Sequence, residues 1–168
     1  MASPFLLLFI LVRGTWGLCE WTPNDRRVEC HLKILDFRRN SSSAAMQVPD
    51  PGLVEADSLG VLCSDVFFFE SQLRSDHFGS LGRLTHLEIS FCKLRTLPPR
   101  TFVGLQGLRT LKIHTHNEDW TSLRMEPDYE SLVGLDSLEL LDMQLNNLHS
   151  IPPGTYTPFS QNAMQVVS

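Results

Sequence analysis

An α/β-type solenoid is the fold this sequence predicts: a curved parallel sheet with one short strand per repeat and an irregular convex side. Three observations carry the prediction. The string Leu87-x-Ile89-x-x-Cys92-x-Leu94-x-x-Leu97 returns in part as Leu111-x-Ile113, and again as Leu141-x-Met143-x-x-Asn146-x-Leu148-x-x-Ile151. Phe102 and Leu105 follow Leu87 at the same offsets at which Tyr156 and Phe159 follow Leu141. A doubled proline, Pro98-Pro99 and then Pro152-Pro153, stands behind the last apolar position both times, setting a rigid extended corner. This string, at a period of roughly 20 to 29 residues, is the leucine-rich repeat.

Taken in chain order, residues 1–17 read as a secretory signal peptide. An apolar run from Phe5 to Val12 precedes small residues, Thr15 and Gly17, at a plausible cleavage point. The run is far below the roughly 18 apolar residues that a membrane-spanning helix needs. Secretion places the four cysteines where disulfides persist. Residues 18–60 form an N-terminal cap and flanking region, since a solenoid must cover the open end of its core. Cys19 and Cys30, just ahead of the repeats, are expected to bridge there. Asn40-Ser41-Ser42 is a glycosylation acceptor in a low-complexity stretch. The formal charge of −5 becomes −6 without the signal, whose one charged side chain is Arg13. With no basic stripe, nucleic acid is not an expected partner. Nor is there a polybasic patch for an anionic membrane.

Residues 61–168 hold about three to four repeats, the last incomplete. Period-two alternation turns Leu87 and Ile89 inward and His86, Glu88 and Ser90 outward. At the corner after the strand, an Asn side chain can pair backbone groups that the turn leaves open, and Asn146 fits that role. Cys92 takes the same turn position one repeat earlier, and is expected there as a small buried free thiol. Cys63 has no assigned partner; a bridge to the cap or to a cysteine outside the chain stays open. Leu87 to Leu111 spans 24 residues and Leu111 to Leu141 spans 30, so Asn117 to Glu130 is expected to bulge as a polar loop. Leu73, Phe78 and Leu81 precede Leu97, Phe102 and Leu105 by 24 residues, which places a degenerate repeat near Leu62 with Asp65 where an apolar residue is expected. In the tail, Ser160 to Ser168, the rhythm is lost, and the C-terminal end is expected to be truncated with its core uncapped.

Local strings go beyond the repeat. Cys19-Glu20-Trp21-Thr22-Pro23, then Cys63-Ser64-Asp65 with Phe68-Phe69-Glu70-Ser71-Gln72-Leu73, then Cys92-Lys93-Leu94, then Ile113-His114-Thr115-His116-Asn117 with Asp119-Trp120, resemble the N-terminal ectodomain of the long arthropod Toll receptors. The resemblance covers Leu18 to Pro153. It implies a type I receptor with a leucine-rich ectodomain, one membrane span and a cytoplasmic Toll/interleukin-1 receptor domain, acting in innate immunity or development. It also implies protein ligands of the cystine-knot type or other cell-surface proteins, and a receptor dimer in the full-length protein. Only the first repeats lie in this chain, so it is not expected to signal alone. The implied location is the extracellular side of the plasma membrane, or the medium if the chain is complete. An independent secreted scaffold or decoy is the alternative.

Catalysis has little to stand on. His114-x-His116 with Glu118 and Asp119 could converge two imidazoles, but a metal needs a third fixed ligand. No Gly-x-Ser-x-Gly, phosphate loop or zincin helix is present, so no catalytic, cofactor or metal residue is assigned. Binding is expected on the outward strand positions: His86, Glu88 and Ser90; Thr110, Lys112 and His114; Leu140, Asp142 and Gln144. Asp119, Trp120 and Tyr129 in the insertion form a second candidate contact, because exposed aromatics anchor interfaces.

Overall fold

The computed structural model describes residues 18–35, 55–64, 70–75, 78–79, 81–115, 117, 124–148 and 165–167. The expected signal peptide at 1–17, the acceptor Asn40, Asp65, His116, Asp119, Trp120 and the corner from His149 to Phe159 lie outside them.

The cap is a hairpin. β1 (Leu18–Thr22) pairs antiparallel with β2 (Arg27–Leu32), and Cys19 stands opposite Cys30, to which it is disulfide-bonded. From β2 onward the sheet is parallel through β3 (Ser58–Cys63), β4 (His86–Ser90), β6 (Thr110–His114), β8 (Leu140–Asp142) and β9 (Gln165–Val167). On the opposite wall β5 (Thr96–Leu97) pairs in parallel with β7 (Glu126–Pro127). The order β1-β2-β3-β4-β6-β8-β9 is the solenoid read directly: every turn adds one strand beside the last.

Register follows the Leu-x-Leu pairs. Leu59, Leu87, Leu111 and Leu141 stand side by side, as do Val61, Ile89 and Ile113, and all are buried. Leu94, Leu97, Phe102, Leu105 and Leu108 close the core from the other wall. Each large apolar side chain removed from water here contributes roughly 1.5 to 3 kcal/mol before conformational entropy is charged against it. Phe78 and Phe102 continue the stacking outside the strands, with ring centroids 5.7 Å apart and planes 9° from parallel.

Four sequence expectations are corrected. The first repeat strand is Ser58–Cys63, not a segment starting near Leu62; Leu59 and Val61 are its inward pair, and Leu62 lies on the outward row beside Ser90. Its Leu59 precedes Leu87 by 28 residues, so counting back 24 from Leu87 stops four residues short, the four extra residues lying between this strand and Leu73. The insertion is also shorter than Asn117 to Glu130. Met125 and Pro127 are buried in the β5–β7 wall, which leaves the extra length ahead of Arg124. The tail does not leave the rhythm entirely, because Val166 pairs in register with Leu141. Finally, Cys92 is no free thiol: it is disulfide-bonded to Cys63, and among the described residues no cysteine is free. The parallel register sets the ends of β3 and β4 side by side; Cys63 is the last residue of β3 and Cys92 lies two residues past β4, with Cα atoms 4.8 Å apart.

Candidate protein-binding surface

Alternation within each strand makes one face of the large sheet polar. Arg27, Ser58, His86, Thr110 and Leu140 form one cross-strand row. Glu29, Gly60, Glu88, Lys112 and Asp142 form the next, and His31, Leu62, Ser90 and His114 a third. With adjacent strands about 4.8 Å apart, these rows bring together residues separated by more than a hundred positions in the chain. The predicted set His86, Glu88, Ser90, Thr110, Lys112, His114, Leu140 and Asp142 therefore falls on one surface. Gln144 is exposed in the turn behind β8, its backbone N–H donating to Asp142 Oδ1 at 3.2 Å.

Sequence reasoning missed the cap's share of this face. Arg27, Glu29 and His31 extend it, and their signal was present as the alternation Arg27-Val28-Glu29-Cys30-His31, with Val28 and Cys30 buried. Arg27 donates to Glu29 Oε2 and to Ser58 Oγ, both at 3.3 Å. Gly60 leaves room for it: a Cβ there would stand 2.8 Å from Arg27 Nη2. A shallow hollow over Gly60 is lined by Arg27, Glu29, Leu62, Glu88 and Ser90. Ser90 donates to Glu88 Oε1 at 3.1 Å. His114 Nε2 lies 3.0 Å from Asp142 Oδ1, an ion pair when the imidazole is protonated. The middle row is thus mixed in sign, negative at Glu29 and Glu88, positive at Lys112 and negative again at Asp142, and its charges stand on hydrogen-bonded strands.

The turn behind the strands fixes this geometry. Asn146 is buried; its Oδ1 accepts from Thr115 N at 2.9 Å and Thr115 Oγ1 at 2.7 Å, and its Nδ2 donates to Ile113 O and Met143 O at 2.6 Å. In the middle repeat the role passes to Asn117, buried and donating from Nδ2 to Leu94 O at 2.8 Å, one place later than the spacing alone indicates. Phe91 and Leu145, each one residue ahead of the turn position, take left-handed backbone angles, with φ of 59° and 61°.

Of the second predicted contact only Tyr129 lies among the described residues, and it does not join the first. Tyr129 is 59% exposed, but it follows β7 on the opposite wall, away from the polar face of the large sheet. Among the described residues no three His, Cys, Asp or Glu side chains converge as metal ligands.

These features, one parallel strand per turn, an Asn-paired corner and a disulfide hairpin cap, define a leucine-rich repeat protein. A family model described as Leucine Rich Repeat matches residues 83–105. The chain is 35% identical over 152 residues to Toll-like receptor 7 of Drosophila melanogaster, an alignment covering 86% of this chain and 10% of that protein. It is 29% identical over 156 residues to Receptor-like protein EIX1 of Solanum lycopersicum, covering 80% of this chain and 15% of that protein. The chain is a leucine-rich repeat segment of Toll-receptor type, and it spans a tenth of the length of the Drosophila relative.

Proposed function

We propose that this chain is the first part of the extracellular, protein-binding region of a Toll-type cell-surface receptor, and that the polar face of the large sheet is its contact surface. The observation that carries the reading is the row Glu29, Gly60, Glu88, Lys112 and Asp142, where charges of both signs are held side by side on hydrogen-bonded strands of one sheet. Charge complementarity of this kind selects partners and speeds encounter more than it adds raw affinity. The ligand class is a secreted cystine-knot protein or another cell-surface protein, and the setting is innate immune or developmental signalling by a full-length receptor that dimerises. Residues 1–17 act as the signal peptide, residues 18–57 as the cap and flanking region with Asn40 glycosylated, and the repeats run from β3 (Ser58–Cys63) onward. Asp119, Trp120 and Tyr129 are a secondary contact.

The test is the size and location of the native product, detected in membrane and medium fractions by an antibody to the Asn117–Glu130 peptide. A membrane-bound product several times longer than this chain is expected. A soluble product of the chain's own size overturns the receptor reading in favour of a secreted scaffold or decoy. On the surface itself, Lys112→Glu is expected to lower capture of secreted cystine-knot proteins by the immobilised chain several-fold without changing its thermal midpoint. Equal capture by the variant removes this face, and capture by neither form removes the ligand class.

A further inference from the structure

Tyr129 has no place on the polar face described above, yet its surroundings are distinctive. It stands in the turn that follows β7, 59% exposed, within the sequence Glu126-Pro127-Asp128-Tyr129-Glu130. Carboxylates therefore lie three residues before it, immediately before it and immediately after it. The turn holds its shape without the tyrosine. Asp128 Oδ1 accepts from Glu130 N at 2.8 Å, Asp128 N donates to Leu97 O at 2.9 Å, and Arg100 N donates to Glu130 O at 3.0 Å. The phenol is thus more than half exposed on a turn held by its backbone and flanked by acids, and its side-chain hydrogen bond with the neighbouring Glu130 carboxylate raises its pKa above the ordinary 10.0. Tyr156, the chain's other tyrosine, stands between Thr155 and Thr157 and has no acidic neighbour.

We propose that Tyr129 is a site of tyrosine O-sulfation. The modification fits the secretory pathway, where sulfotransferases with basic clefts select exposed tyrosines by the carboxylates beside them, an electrostatic match that Glu126, Asp128 and Glu130 supply. The phenolic oxygen attacks the sulfur of an activated-sulfate nucleotide, a phosphosulfate anhydride. A phenol O–S bond forms and the S–O bond to the nucleotide phosphate breaks. The phenolic proton passes to a base of the transferase, the nucleotide bisphosphate leaves, and nothing is oxidised or reduced. The product carries a fixed negative charge at the tip of an already acidic turn, and so presents a contact for a basic protein partner on the wall opposite the polar sheet face. The proposal rests on the reading above in needing passage through the secretory pathway.

The test has two arms. Cells secreting the full chain are grown with radioactive sulfate, and label is mapped on peptides beside a co-expressed sulfated control protein. Label on the Tyr129 peptide and not on the Tyr156 peptide is expected, abolished by Tyr129→Phe and several-fold lower in Asp128→Asn with Glu130→Gln. The folded chain is separately incubated with a tyrosine sulfotransferase and the activated-sulfate donor, and the same pattern is expected. A secreted chain left unlabelled at Tyr129 while the control is labelled overturns the proposal, as does a phosphatase-sensitive group in place of sulfate. A chain that takes label with the purified enzyme but never leaves the cell counts against the secretory reading and leaves the site standing as a substrate. Refusal in both arms removes it.

Discussion

Single residues decide whether one turn of this solenoid can lie on the next. Gly104 has φ of +100°, and a Cβ there would stand 2.7 Å from Gly79 Cα and 2.9 Å from Gly79 O. Two backbones touch at that point, which is why a side chain is excluded. Gly134 repeats the conformation one turn later, with φ of +92°. Asn146 is the polar counterpart. It satisfies Thr115 N, Thr115 Oγ1, Ile113 O and Met143 O in a place water does not reach. Asn146→Ala leaves those groups unpaired, and an orphaned buried group costs about 1 to 3 kcal/mol. Loss of about 2 to 4 kcal/mol is therefore expected in urea unfolding followed by circular dichroism, the lower part of the range allowing for relaxation around the site. A change below about 0.5 kcal/mol, the size typical of neutral surface substitutions, would show that the turn does not depend on this side chain. The role of Asn146 was legible from spacing because it sits five residues beyond Leu141; Asn117 was not, since the insertion moves its turn by one place and leaves His116 at the counted position.

Between elements, the disulfides act differently from one another. Cys19–Cys30 ties two adjacent strands of one hairpin across 11 residues, whereas Cys63–Cys92 ties consecutive repeats across 29. The cap bridge was legible because both cysteines precede the repeats and a cap needs closing. The second was not, because the repeat string alone makes Cys92 a buried turn residue, and because the strand carrying Cys63 was placed too late in the chain for its neighbour to be recognised. Cys92→Ser is expected to cost about 2 to 4 kcal/mol, the usual worth of a bridge closing a loop of this size. Non-reducing peptide mapping checks the pairing and urea unfolding the cost; recovery of Cys92 as a free thiol from native protein would break the assignment. On the opposite wall the turns are joined by weaker means, among them Glu70, whose Oε1 lies 2.8 Å from Arg95 Nη2. The hydrogen bond from Arg95 is the main cause holding the Glu70 carboxyl below its ordinary 4.5, with burial opposing. A folded-state pKa below the unfolded one gives stability that is present above 4.5 and is lost as pH falls through the lowered value. The pair is largely solvated, so its contribution is small and screened by salt. Glu70→Gln should lower the thermal midpoint slightly at neutral pH and not at all once the native carboxyl is protonated; an equal loss at both pH values would mean packing, not charge.

Across the whole molecule the sheet order sets how stability is shared. Among the described residues each inner strand of the large sheet pairs with its two neighbours, so within that sheet β4 joins the cap side, β1 to β3, to the later repeats, β6 and β8. Linear arrays of this kind take their stability from nearest-neighbour interfaces, unlike a globule in which one core joins all elements. That property was readable from the repeat string before any strand was placed, because the recurring Leu-x-Leu pattern of a leucine-rich repeat makes each repeat one unit stacked on the last. The two cap strands and the β5–β7 wall were less readable, since short strands with no repeated string carry only the alternation of a few residues. Ile89 stands fully buried at the centre of the link, between Val61 and Ile113. Ile89→Ala removes roughly 2 to 5 kcal/mol of core packing from both interfaces of β4. In hydrogen exchange read by mass spectrometry, the expected result is faster exchange in β3, β4 and β6, with the β1–β2 hairpin held near its original protection by its own bridge. Uniform acceleration across every strand, cap included, would mean that the chain unfolds as one cooperative unit and that its nearest-neighbour architecture does not govern its energetics.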